Sequence, residues 1–237
     1  MCGIVGAITH RPVGSILLEG LQRLEYRGYD SAGFAVLDAT GEMQRLRRVG
    51  KVRELKSAQA ETGLNGIVGI AHTRWATHGK PTQENAHPHT SGSSVAVVHN
   101  GIIENHSELR KKLKEAGYNF ESETDTEVVA HLVDQKVKEQ DNLLEGFKLA
   151  LSELQGAYAI AVLHKDYPDR IVAARVGSPL VVGLGFGENF IASDPQALRP
   201  VTDRFIFLEE GELVEVTCDE ILIYGVNSLS VVDRTIK

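Results

Sequence analysis

Two sheets packed face to face and covered by helices, an α/β (α+β) architecture, are predicted from this 237-residue sequence by three observations. Apolar runs of strand length occur at both ends of the chain, and segments of helical periodicity lie between them. No linker and no internal repeat divides the sequence, so residues 1–237 read as one domain.

Residues 3–8, GIVGAI, form a short apolar run between glycines and predict a buried strand. Pro12 opens a helix with Val13, Ile16, Leu17, Leu21 and Leu24 on one face, and the helix stops before Gly28 in the polar loop RGYDS. Residues 32–38 and 43–49 predict two strands about the turn Thr40-Gly41. Arg45, Arg47, Arg48, Lys51 and Arg53 accumulate there and are expected on a solvated strand edge. IVGIAH at 67–72 and SVAVVH at 94–99 predict two more strands. The polar stretch between them, 73–93, has no periodicity and is long enough to be either functional or disordered.

A helix from about Ser107 to Ala116 ends at Gly117. The next starts near Thr124, where Thr124-x-x-Glu127 fits a capping box, with Val129, Leu132, Val133 and Val137 inward. A third carries Leu143, Phe147, Ala150, Leu151 and Leu154 on one stripe. From Gly156 onward the pattern predicts strands at 156–163, 170–175, 180–184, 188–192, 203–208, 211–216 and 220–224, with turns at Gly211 and from Gly225 to Ser228.

Composition removes several function classes. Hydrophobic residues at 42% and charged residues at 24% exclude collagen, low-complexity and disordered chains. Asp+Glu 32 against Lys+Arg 25 gives a net charge of −7, which argues against a nucleic-acid partner. No apolar run reaches the ~18 residues a membrane span needs, and no basic region precedes an apolar core at the start of the chain. A soluble, cytoplasmic protein is expected. Cys2 and Cys218 are the only cysteines, so no disulfide framework exists.

Cys2 directly follows the initiator methionine. Removal of Met1 would leave one residue carrying a thiol nucleophile and an α-amine, whose reference pKa of about 7.7–8.0 suits a general base near neutrality. A small buried residue at the start of a strand is the plain reading of the same position. A nucleophile attacking a carbonyl needs donors for the oxyanion, and Asn100-Gly101 offers a side-chain amide and an open backbone N–H after the strand SVAVVH. An ordinary Asn-Gly turn would look the same. Arg74 can grip a carboxylate through two parallel hydrogen bonds and Asp125 can pair with an ammonium, although Asp125 also suits the first turn of a helix. His72, His78, His87, His89 and His99 raise the question of a metal. Their spacing matches no ligand pattern, and hydrogen-bonding histidines that hold a polar loop are expected instead.

These residues join into a pattern. MCGIVGAI at 1–8, RLEYRGYDSAG at 23–33, AHTRWATHG at 71–79, NAHPH at 85–89, HNGIIENH at 99–106 and SETDTEV at 122–128 occur in this order. Together they resemble the N-terminal glutaminase domains of the glucosamine-6-phosphate synthase family. VGSPLVVGLG at 176–185, GENFIASD at 187–194 and RFIFLEEGE at 204–212 extend the resemblance over essentially the whole chain. The resemblance implies a four-layer α/β/β/α sandwich of the N-terminal-nucleophile hydrolase type, hydrolysis of the side-chain amide of L-glutamine, and no cofactor or metal. It also implies a C-terminal isomerase half, absent from this chain, in a full-length enzyme that is a homo-oligomer. Residue by residue, it makes Cys2 the nucleophile, Asn100 and Gly101 the oxyanion hole, and Arg74 and Asp125 the clamps on the substrate carboxylate and ammonium. Thr77 and His78 then lie on a loop closing over the substrate, Trp75 gates an ammonia channel, and Arg27 and Gly28 lie near the nucleophile. A related glutaminase serving another acceptor, and a non-catalytic domain of the same fold, are the competing readings.

Overall fold

A computed structural model of the chain describes residues 2–38, 40–75, 79–225, 231 and 232. The opening run forms β1 (Gly3–Ile8), every residue of it buried. Next comes α1 (Gly14–Leu24), whose Leu17, Leu21 and Leu24 are wholly buried, and a single 3-10 turn at Glu25–Arg27 ends it at Gly28. Then β2 (Ser31–Leu37) and β3 (Met43–Val49) make the expected hairpin, with Ser31 opposite Val49 and Leu37 opposite Met43.

A helix absent from the sequence reading comes next, α2 (Val52–Thr62), which turns Val52, Leu55 and Ala58 inward and ends at left-handed Gly63. No side chain beside it caps it; the Glu25 carboxylate accepts from the Val52 N–H at 2.7 Å instead. Three strands follow: β4 (Val68–Arg74), β5 (His89–Ser91) and β6 (Val95–Ile103). The helices α3 (His106–Glu115), α4 (Thr126–Gln140) and α5 (Leu143–Glu153) occupy the middle of the chain. Each strand expected after Gly156 is present: β7 (Gly156–His164), β8 (Ile171–Val176), β9 (Val181–Leu184), β10 (Asn189–Ala192), β11 (Phe205–Phe207), β12 (Glu212–Val216) and β13 (Ile221–Gly225). The predicted turn from Gly225 to Ser228 runs into residues outside those described.

The strands form two antiparallel sheets, ordered β11-β9-β10-β1-β4-β2-β3 and β13-β12-β8-β7-β6-β5. Period-two alternation sets the layers. On β1, Val5 and Ala7 pack against Leu17 and Leu21 of α1, while Ile4 and Ile8 point the other way. There they meet Ala96 and Val98 of β6 and Ala159 and Ala161 of β7, so small residues form much of the layer between the sheets. Val95 and Val97 of β6 pack beneath Val129, Val133 and Phe147 of α4 and α5. The order is helix, sheet, sheet, helix, as the resemblance implies.

This topology makes the first strand a central one. β1 lies between β10 and β4, and β6 faces it from the other sheet, so Cys2 emerges at the sheet end where Asn100 also lies.

Three local expectations are corrected. Strand β6 does not stop at His99 but continues to Ile103, so Asn100 and Gly101 pair with Ala159 and Tyr158 in mid-strand and form no turn. The capping box does not form either. Helix α4 starts at Thr126, and the Glu127 carboxylate accepts instead from the Glu121 and Ser122 N–H groups and from the Ser122 hydroxyl, folding the 121–125 segment over the helix start. Arg45 and Arg47 are half-buried rather than solvated. Arg47 donates to the carbonyls of Glu84 and Ala86 at 3.0 and 3.1 Å, and Arg45 to that of Pro88 at 3.4 Å, so β3 holds part of the polar stretch in place. Burial, with Arg45 alongside, lowers the Arg47 pKa to about 10, which leaves it charged at neutral pH.

Candidate active site

Cys2 sits at the mouth of two cavities. One, of about 20 Å³, is lined mostly by polar residues and is reached by Arg74, Asp125 and Gly101. The other, of about 350 Å³, is mainly apolar, with Arg27, Trp75, Ile102 and Pro179 on its walls. The Trp75 N–H donates to Cys2 Sγ at 3.2 Å, and Asn100 Nδ2 donates to the Cys2 carbonyl at 3.3 Å. Burial pushes the Cys2 thiol above its ordinary range, against the opposing hydrogen bond from Trp75. The thiol is therefore protonated at neutral pH and needs a base to become a nucleophile.

Gly101 has φ 136°, a conformation few L residues adopt, and a Cβ there would lie 1.9 Å from the Ala157 carbonyl oxygen. Asn100 therefore precedes a position that only glycine fills. Gly28, at φ 101°, underlies the Trp75 ring, which a Cβ would approach to 2.4 Å. Arg27 anchors the same turn through Ser193 Oγ at 3.4 Å and Asp194 at 3.9 Å, and Ser193 Oγ in turn accepts from the Ile4 N–H of β1.

Arg74 ends β4 and is 4% exposed. Its guanidinium donates to the carbonyls of Lys80 and Gly79 at 3.2 and 3.1 Å and lies 3.6 Å from Asp30, which the sequence reading did not single out. Asp125 is equally buried. Its Oδ2 accepts from the Ile103 N–H at 2.8 Å, which ties the start of α4 to the end of β6. Cys2, Asn100, Gly101, Arg74, Trp75, Arg27, Gly28 and Asp125 thus converge from five separate segments. Thr77, His78 and Met1 lie outside the described residues.

The polar cavity also presents His87, His99, Thr124 and Thr126, which sequence reasoning did not assign to the site. The histidines hold the surrounding chain. His99 Nδ1 meets Thr126 Oγ1 at 3.0 Å, His89 Nε2 meets Thr124 Oγ1 at 3.0 Å, and the rings of His72 and His87 stack 4.0 Å apart. No group of three or more His, Cys, Asp or Glu placed to hold a metal ion occurs among the described residues.

Burial drives the His72 pKa down to about 3 and holds His87 and His89 well below their ordinary value. An unfolded imidazole titrates near ~6.5, so below that pH the unfolded chain binds protons that the folded chain refuses, and stability falls as pH falls. For His72 the window runs from roughly pH 6.5 down to about 3. At pH 5 it alone removes roughly 2 kcal/mol, and His87 and His89 act in the same direction. The melting midpoint should change little between about pH 8 and 7 and drop steeply below about pH 6. A midpoint that held down to about pH 4 would show that these rings accept protons in place.

The family model described as Glutamine amidotransferase domain matches residues 72–200, the segment that runs from the end of β4 and takes in His72, His87, His89, His99, β6 and Asp125. The chain belongs to the glutamine amidotransferase domain family. This is a family of enzymes. Over its whole length the chain is 58% identical to a glutamine–fructose-6-phosphate aminotransferase (isomerizing) of Pseudomonas putida, of which it covers 39%. It is 62% identical over 217 residues to the Escherichia coli protein of the same name, matching 92% of this chain and 36% of that protein. The chain thus spans about two fifths of the length of these curated relatives. Among solved structures, a glutamine phosphoribosylpyrophosphate amidotransferase from B. subtilis superposes with a TM-score of 0.82 at 26% identity, covering 97% of this chain and 50% of that one. A glutamine aminotransferase class-II domain protein from Silicibacter pomeroyi shares the fold at a TM-score of 0.63 and 16% identity, over 95% of this chain and 99% of that one. The fold of this glutamine amidotransferase domain is the N-terminal-nucleophile hydrolase sandwich. No helix among the described residues is long and apolar enough to cross a membrane.

Proposed function

We propose that this amidotransferase domain hydrolyses the side-chain amide of L-glutamine to glutamate and ammonia through a thioester on Cys2. The observation that carries the reading is one thiol beside an amide donor, on the rim of a polar cavity with a guanidinium and a carboxylate on its walls. Loss of Met1 frees the Cys2 α-amine, which takes the Sγ proton. Sulfur bonds to the amide carbon, and the oxyanion rests against Asn100 Nδ2 and the Gly101 N–H. The proton passes to the leaving nitrogen, the C–N bond breaks and ammonia departs. Water then adds to the thioester, and its collapse releases glutamate and restores the thiol.

In this reading Arg74 holds the substrate carboxylate and Asp125 its ammonium, while Thr77 and His78 close over the bound molecule. Trp75, with Arg27 and Gly28 behind it, gates the way from the nucleophile to the apolar cavity. In the full-length protein, ammonia would serve the conversion of fructose-6-phosphate to glucosamine-6-phosphate on C-terminal isomerase domains, within a cytoplasmic homo-oligomer. Identity of 58% to an aminotransferase of that name, against 26% to the phosphoribosylpyrophosphate enzyme, supports this acceptor over the other.

Glutamate release from L-glutamine by the purified chain tests the reading. Glutamine capped at its α-amine or α-carboxyl is expected to be a poor substrate. Protein whose intact mass retains Met1 should be inactive, because a peptide nitrogen is not basic. Full activity with Met1 retained would remove the α-amine from the mechanism.

A further inference from the structure

We infer that His72 is a positioning residue: it fixes the side-chain amide of Asn100 so that its nitrogen, rather than its oxygen, faces the reacting thiol. The proposal rests on the glutaminase reading of the site. His72 Nε2 lies 3.0 Å from the His99 carbonyl oxygen and 3.0 Å from Asn100 Oδ1. A carbonyl only accepts, so Nε2 must carry the hydrogen, and the end of Asn100 that meets it must be the oxygen. At its other end the same amide meets the carbonyl of Cys2 at 3.3 Å, again an acceptor, so that end must be the NH₂ group. Acceptors at both ends of this chain of contacts leave one consistent orientation.

The rest of the ring's surroundings fits that role. His72 stands on β4 opposite Ile4 of β1, in one sheet, and reaches across to β6 of the other, so it ties the oxyanion donor to the sheet that carries the nucleophile. It is wholly buried and stacked on His87, and its Nδ1 has no hydrogen-bond partner among the described residues. A buried nitrogen without a partner is a standing cost. A lone pair there costs less than an orphaned N–H would, which keeps the hydrogen on Nε2. Burial also holds the ring neutral. An aliphatic side chain at position 72 would fill the space without directing Asn100, and the amide could then rotate and point its oxygen at the developing negative charge.

The test compares His72→Leu, His72→Gln, Asn100→Ala and the His72→Leu/Asn100→Ala pair in glutamine hydrolysis. Alkylation of Cys2 by iodoacetamide is measured on the same proteins, because that reaction develops no oxyanion. Loss of one oxyanion donor typically costs about 10²–10³ in kcat, so His72→Leu should lose up to that much with KM and the alkylation rate little changed. His72→Gln, whose amide N–H reaches the Nε2 position, should recover most of the loss. The double variant should be no slower than Asn100→Ala alone. Where His72→Leu does not fold, His72→Asn replaces it, since that shorter amide stops at the Nδ1 position. An unchanged kcat in His72→Leu, losses that add in the double variant, or alkylation falling in step with kcat would overturn the proposal. A wild-type chain that releases no glutamate overturns the glutaminase reading and takes the proposal with it. Wild-type activity that is indifferent to His72 overturns the proposal alone.

Discussion

Cys2→Ala is expected to reduce glutamate release from L-glutamine to assay background while leaving the melting midpoint almost unmoved. Removing the nucleophile of a covalent mechanism costs on the order of 10⁶ in kcat, since the acyl intermediate can no longer form. The fold loses very little. Cys2 is only partly buried and belongs to none of the three core clusters, and among the described residues its sulfur hydrogen-bonds with the Trp75 backbone. The backbone contact from Asn100 Nδ2 to the Cys2 carbonyl survives the substitution. Cys218→Ala is the control. That thiol borders a separate cavity with Leu184 and Asn189, and its substitution should leave turnover unchanged. Glutamate release by Cys2→Ala above background would reject Cys2 as the nucleophile, whatever the melting curve shows.

The strand-rich half after Gly156 was legible because each apolar run there is short, bounded by turn residues and buried by alternation within its own sheet. Helix α2 was not, because its buried face holds only Val52, Leu55 and Ala58 and its N-terminal hydrogen bond comes from Glu25, 27 residues away. The start of α4 misled for a related reason. Thr124-x-x-Glu127 is a cap in one dimension, but Thr124 is claimed by His89 and Glu127 by the backbone of 121–122. The site divides the same way. Cys2, Asn100, Gly101, Arg74 and Asp125 could be picked out as candidates because their residue types suit the proposed chemistry, and the structure brings them together. Asp30 beside Arg74 and His72 behind Asn100 meet other side chains of the candidate site, and those contacts exist only once distant segments are folded together.

Asp125→Asn should cut kcat/KM for L-glutamine by tens- to thousands-fold, mostly through KM, with little change in melting midpoint. The sequence left two roles for this residue, and its position at the N-terminus of α4 keeps both in play. Its side chain makes no hydrogen bond to the first turn of the helix; Oδ2 instead accepts from the Ile103 N–H at 2.8 Å. An asparagine oxygen can accept that same bond, so the link from α4 to β6 persists. What is lost is the negative charge. At a helix N-terminus that charge contributes only about 0.3–1 kcal/mol to stability, whereas removing one partner of a buried, hydrogen-bonded charge pair costs about 2–5 kcal/mol of binding. Carried into transition-state stabilisation, the second range is the tens- to thousands-fold loss in kcat/KM. Asp125→Ala should behave differently, because it also strands the buried Ile103 N–H, a penalty of about 1–3 kcal/mol, and so lowers the midpoint together with activity. Steady-state kinetics and melting curves on the two variants separate the roles. Normal kcat/KM in Asp125→Asn with a clearly lowered midpoint would make Asp125 a helix-start residue and leave the substrate ammonium without its clamp.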